Sequence, residues 1–309
     1  MPTTKEHFLN RISFLRLSLQ IDATRDKSLV DLDHNQVARL LRNGLAVVGF
    51  ASLEDFMKKR VSEILSEISK TKVDFNDLPN KLRHAVTFGC LSALNYQMNL
   101  NTNTSEEKVT FTQEQASRIA STATTSYNLT EFALGYAKPN ISSDDVAEIL
   151  RSFGFDDPWT KMTALASKMG LVGLPLKNSF DNASKRRHQA AHVAQTDTPQ
   201  VDLEQFVTEA LSIAVSYDCL LTHALKLITK KDICYVKDNK KINSSDIYLR
   251  FLKYDKGCWV EISEKSKRPY RKSKDFKLIK RNAILRSNKK NEVLIIFDDS
   301  GNLNTWHYN

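Results

Sequence analysis

Apolar residues recur every three to four positions through the first 229 residues, the spacing of one face of an α-helix. Over 34–65, Val37, Leu40, Leu41, Leu45, Val48, Phe56, Val61, Ile64 and Leu65 mark a long helix, with Asp31 or Asp33 placed to cap its start. Within it, 45–51 is apolar all round, a pattern that puts the segment inside a bundle. Further helices are predicted over 79–98, 142–153, 179–194 and 202–228. A helix over 112–137 is ambiguous because of its Ser and Thr content. Polar or Pro- and Gly-bearing stretches at 99–109, 170–175 and 195–200 separate them. The strongest pattern is the last helix, lined by Leu203, Phe206, Val207, Ala210, Leu211, Ala214, Val215, Leu221, Ala224, Leu225 and Ile228.

After residue 230 the pattern changes. Short runs rich in Ile, Val, Tyr, Phe and Trp at 232–241, 247–254, 258–263, 277–285, 292–298 and 303–308 read as strands. Asp238-Asn239, Lys256-Gly257 and Ser300-Gly301-Asn302 punctuate them as turns. The expected fold class is α+β: an N-terminal all-α bundle over 1–229, followed by a small antiparallel β domain over 230–309.

Charge follows the same division. The net charge of +9 sits entirely in the last 80 residues, which hold 20 basic and 10 acidic side chains. The rest is near neutral, so a balanced body carries a basic appendage of the kind that meets phosphate or an acidic surface. Hydrophobic residues make up 41% and charged residues 26%, an ordinary globular composition. Only nine Gly and seven Pro are present, with no GxGxxG and no GxxxxGK[ST], so the common phosphate-cradling loops are missing. Met-Pro-Thr-Thr-Lys-Glu leads into no apolar segment, and 44–53 is too short to span a bilayer. With four scattered cysteines, the expectation is a cytoplasmic protein with no membrane partner.

One segment carries chemistry: Arg187-His188-Gln189-Ala190-Ala191-His192. At about 100° per residue, Ala191 falls near 40° from Arg187, His188 near 100° and His192 near 140°. A guanidinium and two imidazoles thus share one broad face. Arg is suited to phosphate oxygens, and His both accepts and donates a proton near neutral pH. Metal-independent RNA cleavage needs this combination: a base for the 2′-hydroxyl, an acid for the leaving 5′-oxygen and a cation for the phosphorane. Two plainer readings stand beside it. Lys185, Arg186 and Arg187 can form a solvated basic turn, and His188 with His192, four apart, can bind zinc, although no third ligand is evident.

This motif resembles that of the HEPN family of helical ribonuclease domains: Arg, a polar residue, a few variable residues, then His. The family commonly has a small residue after the His, where Val193 stands. Leu41-Arg42-Asn43-Gly44 through Leu53-Glu54-Asp55-Phe56 is similar to the first core helix of stand-alone bacterial RiboL-PSP-HEPN-like proteins, and the helix from Val201 to their last. The resemblance covers about residues 30–229. It implies a homodimer with a composite site, cutting of single-stranded RNA without metal or cofactor, a 2′,3′-cyclic phosphate product, and service as a toxin or antiphage-defence (abortive infection) effector. Arg187 would hold the scissile phosphate, and His192 would be general acid or base. His188 would orient either of them or touch RNA, and Glu54 would position Arg187.

In the appendage, 265–281 carries nine positive charges and one negative. Lys265, Lys267, Arg268, Arg271, Lys272, Lys274, Lys277, Lys280 and Arg281 surround Tyr270 and Phe276, a composition suited to single-stranded nucleic acid. About five phosphate contacts would make log K fall with log salt at a slope of about −3.5. A solvated basic loop, or docking to an antitoxin or phage-derived trigger protein, are the other readings. Overall the expectation is an endoribonuclease; the alternative is a non-catalytic nucleic-acid-binding or sensor module.

Overall fold

A computed structural model describes residues 3–171, 173–193, 195–237, 240–266 and 268–308. The helices are α1 (Thr4–Ser18), α2 (Leu32–Ser69), α3 (Asn80–Val86), α4 (Leu91–Asn101), α5 (Ser105–Ser121), α6 (Ser143–Ser152), α7 (Pro158–Lys168), α8 (Leu176–His192), α9 (Gln200–Thr229) and α10 (Ile233–Val236). They are followed by β1 (Tyr248–Asp255), β2 (Cys258–Ser263), β3 (Arg271–Ser273), α11 (Phe276–Lys290), β4 (Glu292–Phe297) and β5 (Leu303–His307). The expected α+β class is what the chain adopts.

Two compact units partition the chain. One comprises Met1–Leu53, Thr160–Cys219 and Ser244–Asn309; the other comprises Glu54–Trp159 and Leu220–Asn243. In the first, Phe8, Ile12 and Leu15 of α1 are buried with Phe50, Phe180 and Phe206. Phe50 meets Phe180 edge-on at 5.2 Å between ring centroids. A Cβ on Gly49 would stand 2.9 Å from the Phe206 ring and 3.0 Å from Leu15, so only glycine lets these side chains approach α2. The stretch 45–51 is not enclosed all round: Ala46 and Phe50 are buried, but Val48 is exposed. In the second unit, Phe56, Met57, Val61, Ile64 and Leu65 bury with Val146, Leu150, Phe153 and Leu221. Helix α9 is long and apolar enough to cross a membrane, yet 83% of its most apolar window is buried, as in a core helix.

The sheet belongs to the first unit and has the order β3-β2-β1-β4-β5. It is mixed where an all-antiparallel sheet was expected, because β1 and β4 run parallel at its centre. The segment 277–285, expected as a strand, is α11. Its buried positions Ile279, Ala283 and Ser287 repeat every four residues, and the Asp275 carboxylate caps it by accepting the Leu278 N–H at 3.0 Å. These two corrections have one cause: parallel neighbours need a crossover, and α11 supplies it. Leu252, Leu294 and Ile296 of the sheet pack with Ile279 and Ala283 of that helix.

Within the strand expected over 232–241, residues 233–236 form a helix, α10, capped by Asp232 through the Tyr235 N–H at 3.1 Å. The Asp238-Asn239 turn lies outside the described residues. The other two turns form as expected, with Lys256 (φ 46°), Gly257 (φ 80°) and Gly301 (φ 83°) in the left-handed region that tight hairpin turns use. Helix α5 ends at Ser121, short of the expected 137, and the Thr122 and Thr124 hydroxyls turn back onto the Ile119 and Ser121 carbonyls.

A buried ion cluster braces the sheet. Arg250, fully buried, donates to Glu261 at 2.6 Å and to Glu292 at 2.7 Å. Arg286 of α11 pairs with both oxygens of the same Glu261. Two guanidiniums against two carboxylates leave the cluster neutral, which is what permits its burial. The Trp306 indole N–H donates to Asp218 of α9 at 2.6 Å, and Lys5 of α1 donates to the Trp306 carbonyl at 2.9 Å.

Candidate active site and basic surface

Helix α8 buries Leu176, Phe180 and Ala183 on one side. Continuing that stripe by one turn reaches Arg187, which is half-buried. The neighbouring Arg186 is structural: it donates to the Asp202 carbonyl at 2.9 Å, with the Asp202 and Glu209 carboxylates at 3.3 and 3.9 Å. Glu209 also accepts from Ser179 at 2.9 Å and from Gln205 at 2.8 Å, so α8 is held to α9 by a polar seam. The basic triplet 185–187 is therefore not one solvated turn. Lys185 is exposed, Arg186 locks the helix pair, and Arg187 sits at the margin of the core.

His188 and His192 are exposed, with ring centroids 4.8 Å apart and planes tilted by 52°. The structure thus gathers Arg187, His188 and His192 on the last two turns of α8. Among the described residues no three His, Cys, Asp or Glu side chains gather as a metal would require. Glu54 lies in the other unit, buried on α2, where its carboxylate accepts the Ile141 N–H at 2.8 Å.

Sequence reasoning missed what holds the chain as it leaves His192. Val193 ends the helix in extended backbone, and the connection to α9 then runs into two side chains of α2. Arg42, 1% exposed, donates to the Thr198 carbonyl at 2.9 Å, Asp197 at 2.8 Å, Asp26 at 2.9 Å and the Thr24 carbonyl at 3.1 Å. Asn43 donates to the Thr196 carbonyl at 2.7 Å and accepts from the Thr198 hydroxyl at 2.9 Å. The signal was present: a charge inside an apolar helical stretch must be paired if it is buried.

The model of the RiboL-PSP-HEPN family matches residues 13–223, which contain α8, α9 and this clamp. The chain belongs to the RiboL-PSP-HEPN family. Neither a curated protein nor a solved structure matches it. Membership carries a ribonuclease-type, RNA-related activity class. The match ends before the sheet, so the HEPN motif and the basic run fall inside and outside it respectively.

The basic run is three surfaces. Lys265 and Arg268 are exposed in the connection after β2, and Lys267 lies outside the described residues. Arg271 and Lys272 are exposed on the edge strand β3, with Lys274 just beyond it. Lys277 and Arg281 are exposed on α11, whereas Lys280 is half-buried. Tyr270 is 57% exposed, but its ring also stacks on the ion cluster, with Arg286 at 4.9 Å and Arg250 at 5.5 Å.

Proposed function

We propose that this HEPN chain is a metal-independent endoribonuclease acting on single-stranded RNA, with a composite site made by two copies. The carrying observation is the placement of Arg187 at the margin of the core, on the same last two turns of α8 as two exposed imidazoles 4.8 Å apart. In this reading one His192 takes the proton of the ribose 2′-hydroxyl, and the 2′-oxygen attacks phosphorus. The His192 of the second copy protonates the 5′-oxygen as the P–O bond breaks, leaving a 2′,3′-cyclic phosphate and a 5′-hydroxyl. Arg187 steadies the phosphorane charge, and His188 orients the pair or touches RNA.

The dimer part of the reading is supported by α2. Val37, Leu40, Leu41 and Val48 are exposed and fall within about 100° on one side of that helix. Gly44 stands among them with open space where a Cβ would be. A solvent-facing apolar stripe on an element clamped to the motif connection suits a second copy of the chain. Glu54 is read as a positioning carboxylate. The biological reading is a cytoplasmic bacterial toxin or antiphage effector, restrained by an antitoxin or released by a phage-derived trigger. Arg187→Ala and His192→Ala are expected to abolish cleavage of single-stranded RNA in EDTA, with thermal melting unchanged. If both variants cut as the wild type does, the mechanism is wrong.

A second reading rests on the exposed cations at 265–281: a nucleic-acid-binding module whose affinity survives the motif substitutions. Charge reversal at Lys272 and Lys277 discriminates between the two, since it lowers binding in the second reading while the motif substitutions leave it intact.

A further inference from the structure

The two aromatic rings interleaved in the basic run go to different places. Tyr270 covers the buried ion cluster, whereas Phe276 opens α11 and meets Trp259 of β2 at 4.4 Å between ring centroids. Trp259 is in turn the cross-strand partner of Tyr254 on β1, their rings 5.2 Å apart. Three rings from three elements therefore form a continuous ladder at one end of the sheet, beside the β1–β2 hairpin turn. Packing explains its inner part, since Trp259 and Phe276 lean on the Leu252, Ile279 and Ala283 cluster. It does not explain the outer part: Trp259 and Phe276 remain half-exposed and Tyr254 is 44% exposed.

The surroundings of the ladder are cationic. Lys256 is exposed in the hairpin turn, and Lys274 and Lys277 are exposed on either side of Phe276. Lys280 holds its ammonium 5.8 Å from the Phe276 ring. Of the two acidic neighbours, Asp255 is exposed and Asp275 is engaged as the α11 cap. Protein-docking patches are depleted in lysine, whereas rings framed by lysines fit bases on the rings and phosphates on the ammonium groups.

We infer that Tyr254, Trp259 and Phe276 form a stacking platform for the bases of a single-stranded nucleic acid, with Lys256, Lys274 and Lys277 on its phosphates. The inference rests on the nucleic-acid reading of the basic run and is independent of cleavage. It joins Phe276 of the run to Tyr254 and Trp259 outside it, residues that the linear sequence does not bring together.

The test uses the full chain and a ten-nucleotide 2′-O-methyl oligouridylate, which cannot be cut by 2′-oxygen attack. A base-free ribose-phosphate chain of equal length is the control. Trp159 and Trp306 are buried, so Trp259 dominates the accessible indole emission. Expected are quenching by the oligouridylate but not by the base-free chain, and weaker binding of the oligouridylate to Tyr254→Ala by about 5- to 150-fold, the range of one stacked base. Affinity for the base-free chain should not change in that variant. An oligodeoxyuridylate arm separates RNA from DNA, and equal quenching would mean that the platform reads bases alone. Equal affinity of wild type and Tyr254→Ala, with no quenching by the oligouridylate, would overturn the platform. If binding then still falls on charge reversal at Lys272 and Lys277, the basic run stands without it. If no chain binds, both fail. Quenching is read on the wild type, so the result does not depend on a variant that folds poorly.

Discussion

His307 on β5 illustrates how one side chain's surroundings become a property of the whole. Burial, then Lys5 and Lys280, hold its imidazole down to about 4 from the ordinary 6.5. Between those pH values the unfolded chain binds a proton that the folded chain refuses, so stability falls as pH drops through that window. A melting series from pH 7 to 4 should show the loss, and His307→Gln should reduce the difference between the two ends. At this scale the candidate site was legible in part. Arg187, His188 and His192 could be read from spacing because they share a single helix. Arg186 could not be separated from Arg187, because its role depends on Asp202 and Glu209 on the following helix.

Among elements, α2 does more than bury apolar area. Through Arg42 and Asn43 it grips the connection that leaves His192, so the position of the motif end is set by a helix some 150 residues earlier. Asn43→Ala removes two buried hydrogen bonds and should cost about 1–3 kcal/mol, read from urea midpoints. Amide exchange over 195–200 should rise, and RNA cleavage should fall without loss of binding. Unchanged exchange there would contradict the clamp. The long helices were readable because their apolar periods run through five or more turns. Helix α11 was not, because Lys and Arg fill its surface and leave few apolar markers. Its strand-like composition at Leu278, Ile279, Ile284 and Leu285 concealed a four-residue repeat that becomes visible only against the sheet. The parallel pairing of β1 with β4 was equally hidden, since strand direction is decided by what lies between the strands.

For the whole molecule, the exposed stripe on α2 makes assembly the question that decides function. Leu40→Glu with Val48→Glu should convert a dimer to a monomer in sedimentation, leave helical content intact and abolish cleavage. Cleavage by a monomeric variant would exclude a composite site. The net charge of +9 sits in the last 80 residues of the chain. The sheet itself is nonetheless in one compact unit with α1, α8 and much of α9, joined by Trp306 to Asp218 and by Lys5 to the Trp306 carbonyl. That long-range closure could not be read from local patterns, because each of its bonds joins residues far apart in the chain.

The unit bearing Arg187 is built from three separated stretches of chain, and the last begins at residue 244. During synthesis at about 5–20 residues per second, α1 and the first half of α2 wait on the order of tens of seconds for β4 and β5 to emerge. Until then Asp218 has no indole N–H to accept from, and Lys5 lacks the Trp306 carbonyl. A ribosome-bound chain with its motif already synthesised has the α2 clamp and the α8–α9 seam in hand but still lacks the sheet that completes this unit.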